Sequence, residues 1–385
     1  MKRGVLRTKI CDMVGSEYPV FSAGMGSFFF NLKAASGSRL SAAVSEAGGI
    51  GIIGAGMMTL DELRESIHEV RSITKKPFGV DLLLPANIDA DSQTLPGAKE
   101  IDYENIKATL PSEQTRYIEE LKKELGIGDT KFKIHLDVTT IRPKDAVDIC
   151  LEEKVPIFAA GLGNPAFMVK DAHAQGMLVM GLVGNVKNAK RVKDSGVDII
   201  IAQGTEAGGH TGRIGTLALV PQVVDAVAPI PVVAAGGIGD GRGLAAALSL
   251  GAEGAWVGTA FLATEESDEF DVNKEKIIES DEEGTKITKV FTGKTMRGIK
   301  NRLIDMWDES GVATLPMPLQ TLLMAELLTG LYEKNVREYI SGPAGQISGM
   351  IKEIRPAKSV LEDIVFGAIK ILTEDIPNRV EVKAT

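Results

Sequence analysis

The chain has 385 residues, 44% of them hydrophobic and 5% aromatic, with a formal net charge of −9. That length suits one large α/β barrel with additions or two domains, with ample apolar material for a core. The acidic balance argues against nucleic acid as the default partner, and two cysteines, Cys11 and Cys150, form neither a disulfide framework nor a CxxC metal pattern.

The N-terminal MKRGVLRTKICDMVG is basic, but no apolar run of a signal peptide follows it. No stretch reaches the roughly 18 uninterrupted apolar residues of a membrane span. The expectation is a cytoplasmic protein. Pro19 to Ala23 reads as a first strand, ending in Gly24, Met25 and Gly26. A helix over about Ser38 to Ala47 stops at Gly48 and Gly49. Ile50 to Ile53 is strand two. Thr59, with Glu62 three residues on, forms a capping box for a helix to about Ile73. Pro77 to Leu84 is strand three.

The rhythm breaks over residues 85–140, a polar insertion with a helix near Ser112 to Leu125 and a strand candidate at Lys133 to Val138. Alternation resumes with a helix at Pro143 to Glu153 and strands at Val155 to Ala160, Met177 to Val183, Ile199 to Ala202, Pro231 to Ala235 and Gly254 to Val257. Helices separate them, including Val186 to Ser195, Val220 to Val227 and Gly243 to Leu250. Leaving out 133–138, the core strands number eight. Eight such units predict a (β/α)8 barrel over residues 1–265 with its ligand site at the carboxyl ends of the strands. Residues 266–385 form a mostly helical C-terminal extension. Residues 264–290 read as charged surface helix, and the glycine-rich loop Ser341 to Met350, with Gln346, suggests that the extension lies over the barrel mouth.

Three strand-to-glycine-loop units dominate the second half. After Ile199 to Ala202 come Gln203, Gly204, Glu206, Gly208, Gly209 and His210. Pro231 to Ala235 runs into Gly236, Gly237 and Gly239. Trp256 and Val257 lead to Gly258 and Thr259. The last two loops of a barrel are where main-chain N–H groups bind a phosphate, and glycine lets the oxygens approach. His210, on a glycine loop at a strand end, is the candidate for acid–base chemistry. His68 and His173 read as surface residues. His135 with Asp137 is too small a set for a metal site. Asp81, Asn164 and Asn185 sit at or after strand ends, where a ligand contact and a structural role are equally open. Met25 and Phe28 to Phe30 suit an apolar pocket or plain core packing. Lys187, Lys190, Arg191 and Lys193 form a basic helix face, solvated or able to dock an acidic partner.

QGTEAGGHTG (203–212), AAGGIGDGRGLAAALSLGAEG (234–254) and GTAFLATEES (258–267) resemble the nitronate monooxygenase family, formerly 2-nitropropane dioxygenases. AGMG (23–26), SEAGGIGIIGAG (45–56), KPFGVDLLL (76–84), GLGNP (161–165), MRGIKN (296–301) and PAGQISGM (343–350) extend the resemblance. The family includes FMN-dependent relatives that act as enoyl-acyl-carrier-protein reductases and NADH:quinone reductases. The resemblance implies FMN at the barrel mouth. It places the phosphate on Gly236, Gly237, Gly258 and Thr259. Gly24, Met25, Gln203, Asp81 and Gln346 would contact the ring or ribityl chain. Gly26, Gly208 and Gly209 complete the cofactor set, and His210 would face the substrate. That substrate would be a small molecule, either a nitronate or NAD(P)H plus an acceptor, and a homodimer is compatible with it. Three departures from the family pattern stand out: Ser22 and Ala23 before Gly24 and Met25, Asp81 in place of an asparagine, and Ala260 in place of an arginine.

Overall fold

The computed structural model describes residues 4–27, 33–84, 100–101, 107–128, 134–135, 138–140 and 142–381. Eight parallel strands form one sheet. They are β1 (Val20–Ser22), β2 (Gly51–Gly54), β3 (Phe78–Leu83), β4 (Ile157–Leu162), β5 (Leu178–Val183), β6 (Ile199–Gln203), β7 (Val232–Ala235) and β8 (Gly254–Val257). Each pairs with the next, and β8 pairs with β1, Phe21 lying opposite Trp256. Between β1 and β2 the ring closes on a parallel bridge from Phe21 to Ile50. There Ile50 N–H donates to Val20 O (2.9 Å) and Ser22 N–H to Ile50 O (3.0 Å). The result is the (β/α)8 barrel expected from the eight-strand rhythm.

The alternation of side chains explains why the strands are apolar throughout. Ile199, Ile201, Val233, Ala235, Ile157, Met180 and Trp256 point inward and fill the barrel. Their neighbours Ile200, Ala202, Val232, Ala234 and Phe158 point outward against the helices. The short helix Lys9–Val14 brings Ile10, Cys11 and Val14 into the inner cluster. Thr59 and Glu62 make the expected capping box on helix Leu60–Ile73, and Gly48 takes φ +99° just after helix Ser38–Glu46.

The additions divide in two. Helix Ser112–Glu124 of the insertion packs with Arg302–Ser310 and Leu319–Glu333 around Leu121, Trp307, Leu323 and Leu327, a core separate from that of the barrel. Helix Ala357–Lys370 instead packs outside the barrel, with Leu361, Ile364 and Val365 in the barrel core. The charged stretch 264–290 is more than surface helix. After helix Asp271–Glu279 comes strand Thr285–Thr288, antiparallel to Met296–Ile299, which in turn pairs with Gly209–His210. The β-branched Thr285, Ile287 and Thr288 favour extension there, and Asn273 and Lys274 are buried despite their polarity. Within the 133–138 strand candidate, Ile134–His135 pairs with Glu100–Ile101 apart from the barrel sheet. Asp137 and Phe28 to Phe30 lie outside the described residues. No helix among the described residues is long and apolar enough to cross a membrane.

Candidate active site

A cavity opens at the carboxyl ends of the barrel strands, beneath a cap formed by the additions to the barrel. Gly24, Met25, Gly26, Asp81, Gln203, Gly208, Gly209, His210, Gly236, Gly237, Gly258 and Thr259 all line it. Gln346 does not. Its side chain is exposed, while its backbone N–H donates to Glu206 O (2.9 Å) and Ile347 and Gly345 face the cavity in its place.

The cavity floor is main chain because side chains have no room there. A methyl group at Gly24 would lie 2.2 Å from Asp81 Cβ, at Gly54 2.3 Å from Met25 C, and at Gly208 2.7 Å from Ala344 C. Gly236 and Gly237 take φ +93° and +72°, a region L side chains rarely enter. At Gly236 a methyl group would also meet Gly204 O at 2.9 Å. The β6 and β7 loops therefore interlock. Thr216 fixes them: its hydroxyl donates to Gly236 O (2.9 Å), and its N–H is bound by the Glu206 carboxylate (3.0 Å). Glu206, which sequence reasoning passed over, is thus a brace between the loops. Buried Arg297 lies near it and donates from Nε to Thr205 O (3.1 Å), which sets a positive charge behind the loop. Thr259 Oγ1 accepts from Gly345 N–H (2.9 Å) and ties the last barrel loop to the cap.

His210 is held on three sides. Its backbone pairs with Met296 across the small antiparallel sheet. Its carbonyl accepts from Gln203 Nε2 (2.8 Å), and Nε2 of its ring lies 3.2 Å from Thr292 Oγ1. Burial, helped by the nearby Lys294 charge, pushes its pKa from 6.5 down to about 4. The imidazole is therefore neutral near pH 7 and free to accept a proton. Thr292 is a residue the sequence did not single out. Its only signal is a Thr-Gly turn, and its partner is 82 residues away.

The roof is supplied by the cap. Phe270, Met317, Thr321 and Pro343 line it, with a polar group of Glu269, Asn273 and Tyr332 at one end. Asn273 Nδ2 donates to Glu269 Oε1 (2.7 Å) and to Tyr332 Oη (3.1 Å). Burial raises the Glu269 pKa, partly offset by the Asn273 bond, and raises that of Tyr332.

Other candidates resolve as structural. Asn164 Oδ1 accepts from Ala166 N–H (3.1 Å), and Asn185 caps the helix Val186–Asp194 through Asn188 N–H (2.8 Å). His68 pairs with Glu153 and His173 with Asp198, each at 2.9 Å on the outer surface. Both cysteines are buried and free. Lys187, Lys190 and Arg191 are exposed on one helix face, and Lys193 donates to Ala228 O (2.9 Å).

The chain is similar to known proteins over nearly its whole length. A family model described as "Nitronate monooxygenase" matches residues 7–367. A Staphylococcus aureus (strain Newman) protein named "Probable nitronate monooxygenase" is 32% identical over 371 residues, covering 93% of this chain and 96% of that protein. FabK from Thermotoga maritima superposes with a TM-score of 0.73 at 33% identity, covering 97% of this chain and 100% of that one. Nitroalkane oxidase from Streptomyces ansochromogenes gives 0.76 at 28% identity, covering 94% and 99%.

Proposed function

Because the chain belongs to the nitronate monooxygenase family and is an oxidoreductase of that type, we propose that it binds FMN and oxidises nitronates or nitroalkanes with dioxygen to a carbonyl compound and nitrite. The observation that carries this reading is a neutral, buried imidazole and a glycine-walled floor sharing one cavity.

The fit to FMN rests on the cavity itself. Main-chain N–H groups at Gly236, Gly237, Gly258 and Thr259 would hold the phosphate, and at Gly236 and Gly237 the loop takes a positive φ that glycine adopts without strain. Gly24, Met25, Gln203 and Asp81 would hold the ring and ribityl chain. When bound, FMN supplies the electron acceptor that passes reducing equivalents to oxygen. The chain's own part is proton handling and exclusion of water. With the Thr292 hydroxyl proton given to Lys294 O (3.2 Å), His210 Nε2 carries the ring proton. His210 Nδ1 then presents the lone pair that takes the α-proton of a neutral nitroalkane. Toward a ready-made nitronate the neutral ring, with its proton on Nε2, has no hydrogen to donate from Nδ1, so His210 can hold the anion only once it is itself protonated. An anion alongside favours that protonation by raising the pKa of the ring.

His210→Asn should therefore lose roughly 10²–10⁴-fold on nitroalkanes, the scale of positioned proton transfer, and much less on nitronates. Equal losses on both would remove the base role. The FabK likeness favours a second reading, an NAD(P)H-dependent reductase of an enoyl thioester or quinone using the same flavin. Anaerobic mixing separates the two. Rapid bleaching of the flavin by a nitronate and not by NADH or NADPH supports the first, and the reverse supports the second.

A further inference from the structure

We propose that Asp81 works as a neutral carboxylic acid and presents its proton to the cavity as a hydrogen-bond donor to the ring of the bound flavin. The inference rests on the flavin reading above and adds a chemical role for one of its contacts.

Asp81 lies near the end of β3, with Gly54 beside it on β2 and Ala159 beside it on β4. Neither neighbour has a polar side chain. Gly24 crosses in front and Gly161 behind: methyl groups there would fall 2.5 Å from Oδ2 and 2.7 Å from Oδ1. The carboxyl group thus sits in a slot walled by glycine and alanine. Only 8% of the residue is exposed, and Oδ1 is buried with no hydrogen-bond partner.

A charge cannot be held cheaply in such a slot. An ionised carboxylate out of water needs a cation or several donors. The other titratable groups on the cavity wall are Lys33, Glu206, His210, Glu269 and Tyr332, and none of them is placed to offset the burial of Asp81. Burial drives its pKa well up, and the Gly161 N–H pulls it back by a lesser amount. The group that resolves the conflict is COOH, which needs no counter-charge and gains one donor.

The same facts argue against a purely structural acid. A buried acid that braces the fold has its oxygens satisfied, as Glu206 does on Thr216. Asp81 has only the Gly161 N–H to set against burial, leaves Oδ1 unsatisfied, and lies on the cavity wall. What it can recognise is a lone pair on a carbonyl or ring nitrogen, and it binds such an atom more strongly as that atom becomes more negative. The glycines at 24 and 161 are the condition for this, because any side chain there would displace the carboxyl group.

The test is infrared difference spectroscopy of wild type against Asp81→Asn near pH 7, without and with FMN, beside FMN titrations of both. The expected result is a protonated-carboxyl carbonyl band present only in wild type, which shifts when FMN is added. Asp81→Asn, which keeps a neutral donor, should bind FMN within about threefold of wild type. Asp81→Leu, which has no donor, should bind it about fivefold or more weakly, the worth of one net hydrogen bond. A missing band, with Asp81→Asn binding FMN at least about tenfold tighter, the mark of repulsion relieved, would show a charged carboxylate and overturn the proposal. A band that FMN leaves unmoved would overturn the contact while leaving the flavin site standing. If neither wild type nor Asp81→Asn takes up FMN, the flavin reading itself falls, and the contact with it.

Discussion

At the scale of single residues, burial sets the chemistry of the cavity histidine. His210 makes the consequence measurable. The unfolded chain binds a proton at this position near pH 6.5, whereas the folded protein resists it until about 4. Between those values the unfolded state holds more protons, so the stability linked to His210 is intact above about 6.5 and is lost as the pH falls to about 4. His210→Asn should flatten that part of the thermal-midpoint profile. A mutant profile parallel to wild type throughout would mean that the imidazole is not buried neutral. The position of His210 was legible because a lone histidine on a glycine loop at a strand end has few other uses. Its partner Thr292 and its lowered pKa were not, because both come from a sheet joining segments far apart in sequence. Gln346 shows the opposite failure. A polar residue in a glycine-rich loop looked like a ligand, but the backbone turn carries its neighbours Gly345 and Ile347 to the cavity and leaves Gln346 in solvent.

At the scale of elements, the cap depends on joining a segment from the middle of the chain to one near its end. Helix Ser112–Glu124 meets helix Leu319–Glu333 through apolar contacts and through Lys122 Nζ bonded to Glu326 Oε2 at 2.8 Å. Lys107 reaches the same oxygen at 2.8 Å. Lys122 and Glu326 are 3% and 5% exposed, so removing Glu326 takes a 2.8 Å carboxylate from a buried ammonium that half-exposed Glu119, at 3.4 Å, offsets only in part. Glu326→Ala should cost about 3 kcal/mol or more in stability and weaken substrate binding through Met317 and Thr321, which this helix and the turn before it bring to the cavity. Thermal unfolding together with KM checks this. A change under about 1 kcal/mol, the range of an exposed pair, would show that the pair is solvated. The barrel elements were readable because short continuous apolar runs, glycine stops and one capping box each act locally. The cap was only partly readable. Its helices carry apolar patterns, but which helix meets which is set by contacts distant in sequence, and strand Met296–Ile299 has no alternation strong enough to announce it.

At the scale of the whole molecule, a closed barrel supplies a rigid ring of strand ends, and the additions turn an open mouth into a walled cavity. Eight repeating units make that ring predictable. The C-terminal extension was expected over the mouth, yet only its first part lies there; helix Ala357–Lys370 seals the flank of the barrel, where Gly241 and Gly367 allow close approach to helix Gly241–Ser249. Under the proposed function, main-chain amides of the last two barrel loops would grip the phosphate of FMN. The direct measurement is titration of the apoprotein with FMN and with riboflavin, which lacks the phosphate, in wild type and in Gly236→Ala. Two charge-assisted hydrogen bonds are together worth about 3 kcal/mol or more, so FMN should bind wild type roughly 100-fold tighter than riboflavin. Gly236→Ala should erase most of that preference while leaving riboflavin binding little changed. Equal affinity of wild type for the two flavins, or a preference that survives in Gly236→Ala, would contradict the account.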